Sequence, residues 1–78
     1  MSATVYWTPK SGTILQGGSG LVEQLQRAFH ALPLELSRDD LPVLRGMAAM
    51  WTGNGENPFD QLANAIVEHG LIEVDASY

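Results

Sequence analysis

The sequence predicts an α+β domain: a three-helix core packed on a small antiparallel sheet, in the order β-β-α-α-α-β. Three observations lead there. Apolar residues recur at helical spacing in three segments, near Leu21–Leu32, Leu41–Trp51 and Phe59–Val67. Short stretches at both ends alternate with a period of two. Glycine, proline and small polar residues separate these segments.

Thr4 to Thr8 reads as the first strand, with Val5 and Trp7 alternating against Thr4, Tyr6 and Thr8. Pro9-Lys-Ser-Gly12 is a turn, because proline fixes φ and glycine accepts the left-handed position. Thr13–Gln16 returns antiparallel. Gly17–Gly20 then leads into a helix beginning near Leu21, with Ser19 as a candidate cap. Leu21, Leu25, Ala28, Phe29 and Leu32 form its apolar face, Val22 lies at the edge, and His30 points away. Pro33 is expected to stop it.

Leu34-Glu-Leu36 is a linker able to hydrogen-bond as a minor strand. Ser37 with Asp40 has the spacing of a capping box, and Leu36 with Leu41 can form its hydrophobic staple. Capping by Asp39 or Asp40 instead would place Pro42 in the tolerant first turn.

The segment Asp40–Trp51 is the one around which the chain is expected to be organised. Leu41, Val43, Leu44, Met47, Ala48, Met50 and Trp51 occupy about half of a helical circumference at roughly 100° per residue. A stripe that broad calls for cover by two neighbours or by a second subunit. Leu44, Ala48 and Trp51 are assigned to the core, and Val43, Met47 and Met50 to self-association. Gly46 costs roughly 1 kcal/mol relative to alanine in a helix, so close approach of another backbone is expected there. Gly53 is expected to end the helix in the left-handed region.

The third helix has the clearest start. Asn57 caps, Pro58 takes the first position, and Asp60 places a negative charge in the first turn. Phe59, Leu62, Ala63, Ile66 and Val67 make the buried stripe. Gly70 closes it, Leu71 can fold back over Ile66, and Ile72 and Val74 belong to a short final strand that joins the hairpin.

Seventy-eight residues, 45% hydrophobic, form a single domain over 1–78 with a small stability margin that oligomerisation can supplement. Without cysteine there are no disulfides and no thiolate metal ligands. No basic-then-apolar leader and no run of membrane-spanning length is present, so neither a signal peptide nor a transmembrane helix is expected, and the assigned compartment is the cytoplasm.

Residues 1–45 balance four acids against four bases. Residues 46–78 contain Glu56, Asp60, Glu68, Glu73 and Asp75 and no lysine or arginine, which accounts for the whole net charge of -5. That asymmetry disfavours direct nucleic-acid binding and suits a basic protein partner; its bland counterpart is a solvated acidic face.

Motifs for chemistry are sparse. His30 and His69 lie outside any His-Glu-x-x-His pattern, and Gly18-Ser-Gly20 lacks the Gly-x-Ser-x-Gly elbow. The glycine segment also lacks the Walker lysine, and Asp39-Asp40 suits a helix start better than a catalytic pair. No catalytic, metal-binding or cofactor-binding residue is assigned. The functional expectation is a small, acidic, non-catalytic interaction or regulatory module that forms a homo-oligomer. The alternatives are an enzyme whose site assembles between subunits and an acidic nucleic-acid mimic that inhibits a basic protein.

Overall fold

A computed structural model describes residues 3–9, 12–14, 18–30 and 32–77. It has α+β architecture, with β1 (Thr4–Thr8), β2 (Gly12–Ile14), α1 (Gly18–Phe29), β3 (Leu34–Ser37), α2 (Leu41–Met50), α3 (Pro58–His69) and β4 (Leu71–Ser77). The strands form one antiparallel sheet in the order β2-β1-β4-β3. The fold class is as expected. The order differs by one element, because Leu34–Ser37 is a full edge strand between the first two helices.

Alternation explains that strand. Leu34 and Leu36 are buried while Glu35 is exposed, so a period-two pattern of four residues suffices once β4 offers its edge. β4 is correspondingly no minor tail. Its seven residues pair with β1 on one side and β3 on the other. Val5, Ile72, Val74, Leu34 and Leu36 share the face turned to the helices. Tyr6, Glu73, Asp75 and Glu35 share the opposite face by the same alternation.

The sheet begins as the sequence implies, but β2 starts at Gly12 rather than Thr13. Gly12 pairs with Trp7, and a Cβ there would collide with the Trp7 indole, only 2.1 Å away. Its place in the strand thus follows from packing by Trp7. The remainder of the proposed return strand, residues 15–16, lies outside the described residues.

α1 begins at Gly18, so Ser19 stands inside the first turn instead of capping it. The helix stops before Pro33 can act. His30 adopts φ 70°, and its amide donates to the Gln26 carbonyl at 2.7 Å. This left-handed residue turns the chain away after Phe29. Leu21, Val22 and Leu25 are buried, whereas Ala28 is exposed and Leu32 lies beyond the helix.

The capping box at Ser37 forms. The Ser37 amide donates to Asp40 Oδ2 at 2.9 Å, and the Ser37 hydroxyl accepts from the Asp39 amide at 3.3 Å. It opens a single 3-10 turn, Arg38–Asp40, which runs directly into α2. Pro42 then occupies the first turn of α2, where its missing donor costs little.

α3, not α2, is the centre of the helical layer. Pro58, Phe59, Leu62, Ala63, Ala65 and Ile66 are all buried in α3, while Leu44 alone is buried in α2. The reason is position: α3 packs against both α2 and β4. Helix α2 rests on α3 along one side only, so the broad apolar stripe is only partly covered. Gly46 shows this directly. A Cβ built on it would meet nothing within 4 Å, so among the described residues no backbone from outside the helix approaches it.

The loop after α2 departs from expectation too. The helix ends at Trp51 in an extended conformation, φ -71° and ψ 134°, and Gly53 has no positive φ. Gly53 instead makes room for the Trp51 indole, which lies 2.4 Å from where its Cβ would stand. The start of α3 is as read: Asn57 Oδ1 accepts from the Phe59 amide at 3.0 Å. At the other end Gly70 has φ 84° and its amide donates to the Ile66 carbonyl at 2.6 Å. Leu71 does not fold back over Ile66; it is 52% exposed on the open sheet face, and Val67 is also exposed. The Arg38 guanidinium covers this end, donating to the Val67 carbonyl at 3.4 Å, where the helix dipole favours a cation.

Candidate interaction groove

The incomplete cover of α2 leaves a groove between α1, α2 and the loop that follows it. It has a volume of about 560 Å³. Ala28, Met47, Met50, Trp51 and Phe59 supply apolar walls, and Gln24, Arg27, Thr52 and Gly53 supply the polar ones. Each wall traces to a local rule. Ala28 is exposed on the last turn of α1, and Trp51 reaches the groove because Gly53 leaves room for its ring. Phe59 is buried beneath, set by the Asn57 cap and Pro58.

Of the three residues assigned to self-association, Met50 is 82% exposed and Val43 is 46% exposed. Met47 is half-buried and packs against the core while also lining the groove. Their spacing of i, i+4 and i+7 places them in one row along α2. Leu44, Ala48 and Trp51 face inward, with only Leu44 fully buried. The groove is chemically plain. Among the described residues Arg27 is its one charged lining residue, and it pairs with Glu23 one helical turn away at 2.9 Å.

The five acids of the C-terminal portion do not converge. Glu56 lies in the loop before α3 and accepts from Gln61 Nε2 at 2.5 Å. Asp60 is in the first turn of α3 and Glu68 near its end, about 12 Å apart at 1.5 Å per residue. Glu73 and Asp75 belong to the open sheet face, behind the layer that carries α3. What joins those two is Glu35, an acid from the electrically balanced part of the sequence. Glu35 stands directly across from Glu73 in the β3–β4 ladder. The Leu-Glu-Leu alternation was the signal that could have placed it there.

On this face the Tyr6 hydroxyl donates to Asp75 Oδ2 at 3.4 Å. The Asp75 carboxylate, assisted by slight desolvation and by Glu73, raises the Tyr6 hydroxyl above its ordinary range near 10. A shallower depression of about 270 Å³ lies nearby, lined by Thr8, Pro9, Leu71, Glu35 and Glu73 among others.

The histidines stay apart from these surfaces. His30 is exposed at the end of α1. His69 packs its ring against Trp7 with centroids 5.3 Å apart and a 45° tilt, and its Nε2 lies 3.9 Å from Glu68 Oε2. Among the described residues, no group of three histidine or carboxylate side chains is placed to hold a metal ion. No helix there is long and apolar enough to cross a membrane. Comparison with known proteins found no matching family, curated protein or solved structure.

Proposed function

We propose that this chain is a non-catalytic protein-interaction or regulatory module that self-associates through the groove beside α2. The observation that carries this reading is Met50, 82% exposed at the lip of an apolar groove walled by Met47, Trp51 and Phe59. An unbranched side chain left in water at the edge of an apolar cleft lowers its free energy by entering one. Methionine also adapts to an irregular wall, and the aromatic rings provide large contact area. The lining offers surface rather than a proton-transfer pair, which favours binding over catalysis.

Sedimentation of the wild type and of Met50→Lys across a dilution series tests this. The wild type should form a species that dissociates on dilution, and the variant should require a markedly higher concentration to form it. A wild type with monomer mass at every concentration would defeat self-association.

A second reading rests on a separate observation, the opposed Glu35 and Glu73 on the open sheet face. Like charges directly across a ladder repel. A basic protein surface would relieve that repulsion, with Asp75 and the exposed Leu71 as further contacts. The nucleic-acid mimic is one form of this partner relationship. Glu56, Asp60 and Glu68 would then contribute at a distance, through the field that steers association. Binding to an immobilised polylysine-rich peptide over a salt series, with Glu73→Gln as comparison, would test it. Salt-independent binding unchanged by the substitution would remove this reading.

A further inference from the structure

We infer that Met50 is a site of reversible oxidation, at which a peroxide converts the thioether to a sulfoxide and turns the lip of the groove from apolar to polar. The inference concerns the groove's own wall and holds whatever occupies it. Met47 and Met50 line that groove one turn of α2 apart, and the fold treats them oppositely. Met50 is 82% exposed, whereas Met47 is half-buried and packs against the core. Access to solvent governs which thioether a small oxidant in water reaches first.

The peroxide is the only co-reactant the step requires. A lone pair on the sulfur attacks the O–O bond of hydrogen peroxide, one oxygen stays on sulfur as S=O, and the other leaves as water. Sulfur is oxidised and the peroxide reduced by one electron pair. Methionine sulfoxide reductase reverses the change, because its thiols close to a disulfide as the oxygen departs in water. The chain contains no cysteine, so no thiol of its own competes for the oxidant.

Position makes this change a switch rather than damage. Met50 is the last residue of α2 and lies outside the buried core, so a sulfoxide there removes no packing that holds the helix in place. Gln24 and Thr52 line the same groove and carry groups able to donate to the new oxygen. Oxidation thus exchanges an apolar lip for an acceptor in a groove that holds donors, and apolar occupants lose a favourable contact. Met47 has the opposite consequence. Its oxidation would set a sulfoxide against the core cluster, at a cost in stability.

Treatment of dilute protein with hydrogen peroxide tests the assignment, with Met50→Leu as the variant that keeps an apolar side chain and carries no sulfur there. Tandem mass spectrometry of digested samples follows the sulfoxide at Met47 and at Met50 separately. Met50 should oxidise severalfold faster. When Met50 is converted and Met47 is not, urea unfolding should match that of the untreated protein. Binding of Nile red, a neutral apolar dye, should weaken severalfold in the wild type and return after methionine sulfoxide reductase. In Met50→Leu the same treatment should leave dye binding unchanged. Equal rates at the two methionines, or an unfolding curve shifted by conversion of Met50 alone, would overturn the site. Dye binding that is absent beforehand, indifferent to oxidation, or lost equally in Met50→Leu would overturn the switch.

Discussion

The Asn57 side chain donates from Nδ2 to the carbonyl of Ala48 at 2.8 Å, tying the end of α2 to the start of α3. The same side chain accepts the Phe59 amide through Oδ1. One amide group therefore gives a second donor to a last-turn carbonyl of one helix, which also accepts the Trp51 amide at 3.2 Å, and satisfies an orphan amide of the next. That double role matters because α2 has only one fully buried residue to hold it in place.

Aspartate and asparagine are nearly equal as N-caps, so the two roles can be separated. Asn57→Asp keeps an acceptor for Phe59 but turns an oxygen toward the Ala48 carbonyl. It should lower stability by about 1 kcal/mol relative to wild type. Asn57→Ala removes both bonds and should cost more, about 1–3 kcal/mol. Urea unfolding of the three proteins decides the matter. An Asn57→Asp protein as stable as wild type would show that the bond to Ala48 contributes nothing.

Gly46 gives a prediction about the exposed side of α2. Its Cβ position is open within the single chain, so Gly46→Ala should raise the stability of the dilute protein by about 0.5–1 kcal/mol. Denaturant unfolding at low concentration measures this effect. A destabilised monomer would mean that the glycine serves the chain's own packing.

The open position at Gly46 bears on which parts of the fold are legible in the residues. Several local signals completed within a few residues held, although Ser19 did not cap α1 and Gly53 did not end α2 in the left-handed region. The Ser37–Asp40 box, Asn57 with Pro58, and the Gly70 terminus are examples. Signals that depend on a distant neighbour held for β4, which joins the hairpin as expected, but not for the burial of α2. Apolar density made Leu41–Trp51 look central, but burial is set by what lies on each side, and α2 has α3 on one side only. The candidate groove was half legible for the same reason. Its Met47 and Met50 stood out by spacing, while Ala28 and Phe59 join it only through the placement of α1 against α2. Glu35 was hidden by charge bookkeeping along the chain, since its partner Glu73 is 38 residues away in sequence but adjacent in the sheet.

The open face can be examined through Tyr6. Its hydroxyl pKa is raised, chiefly by the Asp75 charge, so the folded state favours the protonated phenol. The stabilisation linked to this group is fully present below the unfolded value near 10. It is lost as pH rises through the higher folded value. NMR titration of the Tyr6 ring should show ionisation later than in an unfolded peptide, and Asp75→Asn should move it back down. A midpoint unaffected by Asp75→Asn would mean that Asp75 does not set it.

The opposed pair on the same face yields the last prediction. Glu35 and Glu73 are ladder partners, which places their Cβ atoms about 5 Å apart, and both are exposed. Glu35→Lys replaces repulsion with attraction across the ladder. It should raise stability at low ionic strength by about 0.2–1 kcal/mol, and the gain should shrink as salt is added. Thermal unfolding at two salt concentrations measures both effects. The reversal should simultaneously weaken binding to a basic peptide, because it removes one acid and introduces a cation on the surface meant to receive lysines. Stability gained together with binding lost would mark the pair as strain retained for recognition. Stability gained with binding intact would assign the acids to solvation alone, and a salt-independent loss of stability would show that Glu35 is held by something other than its charge.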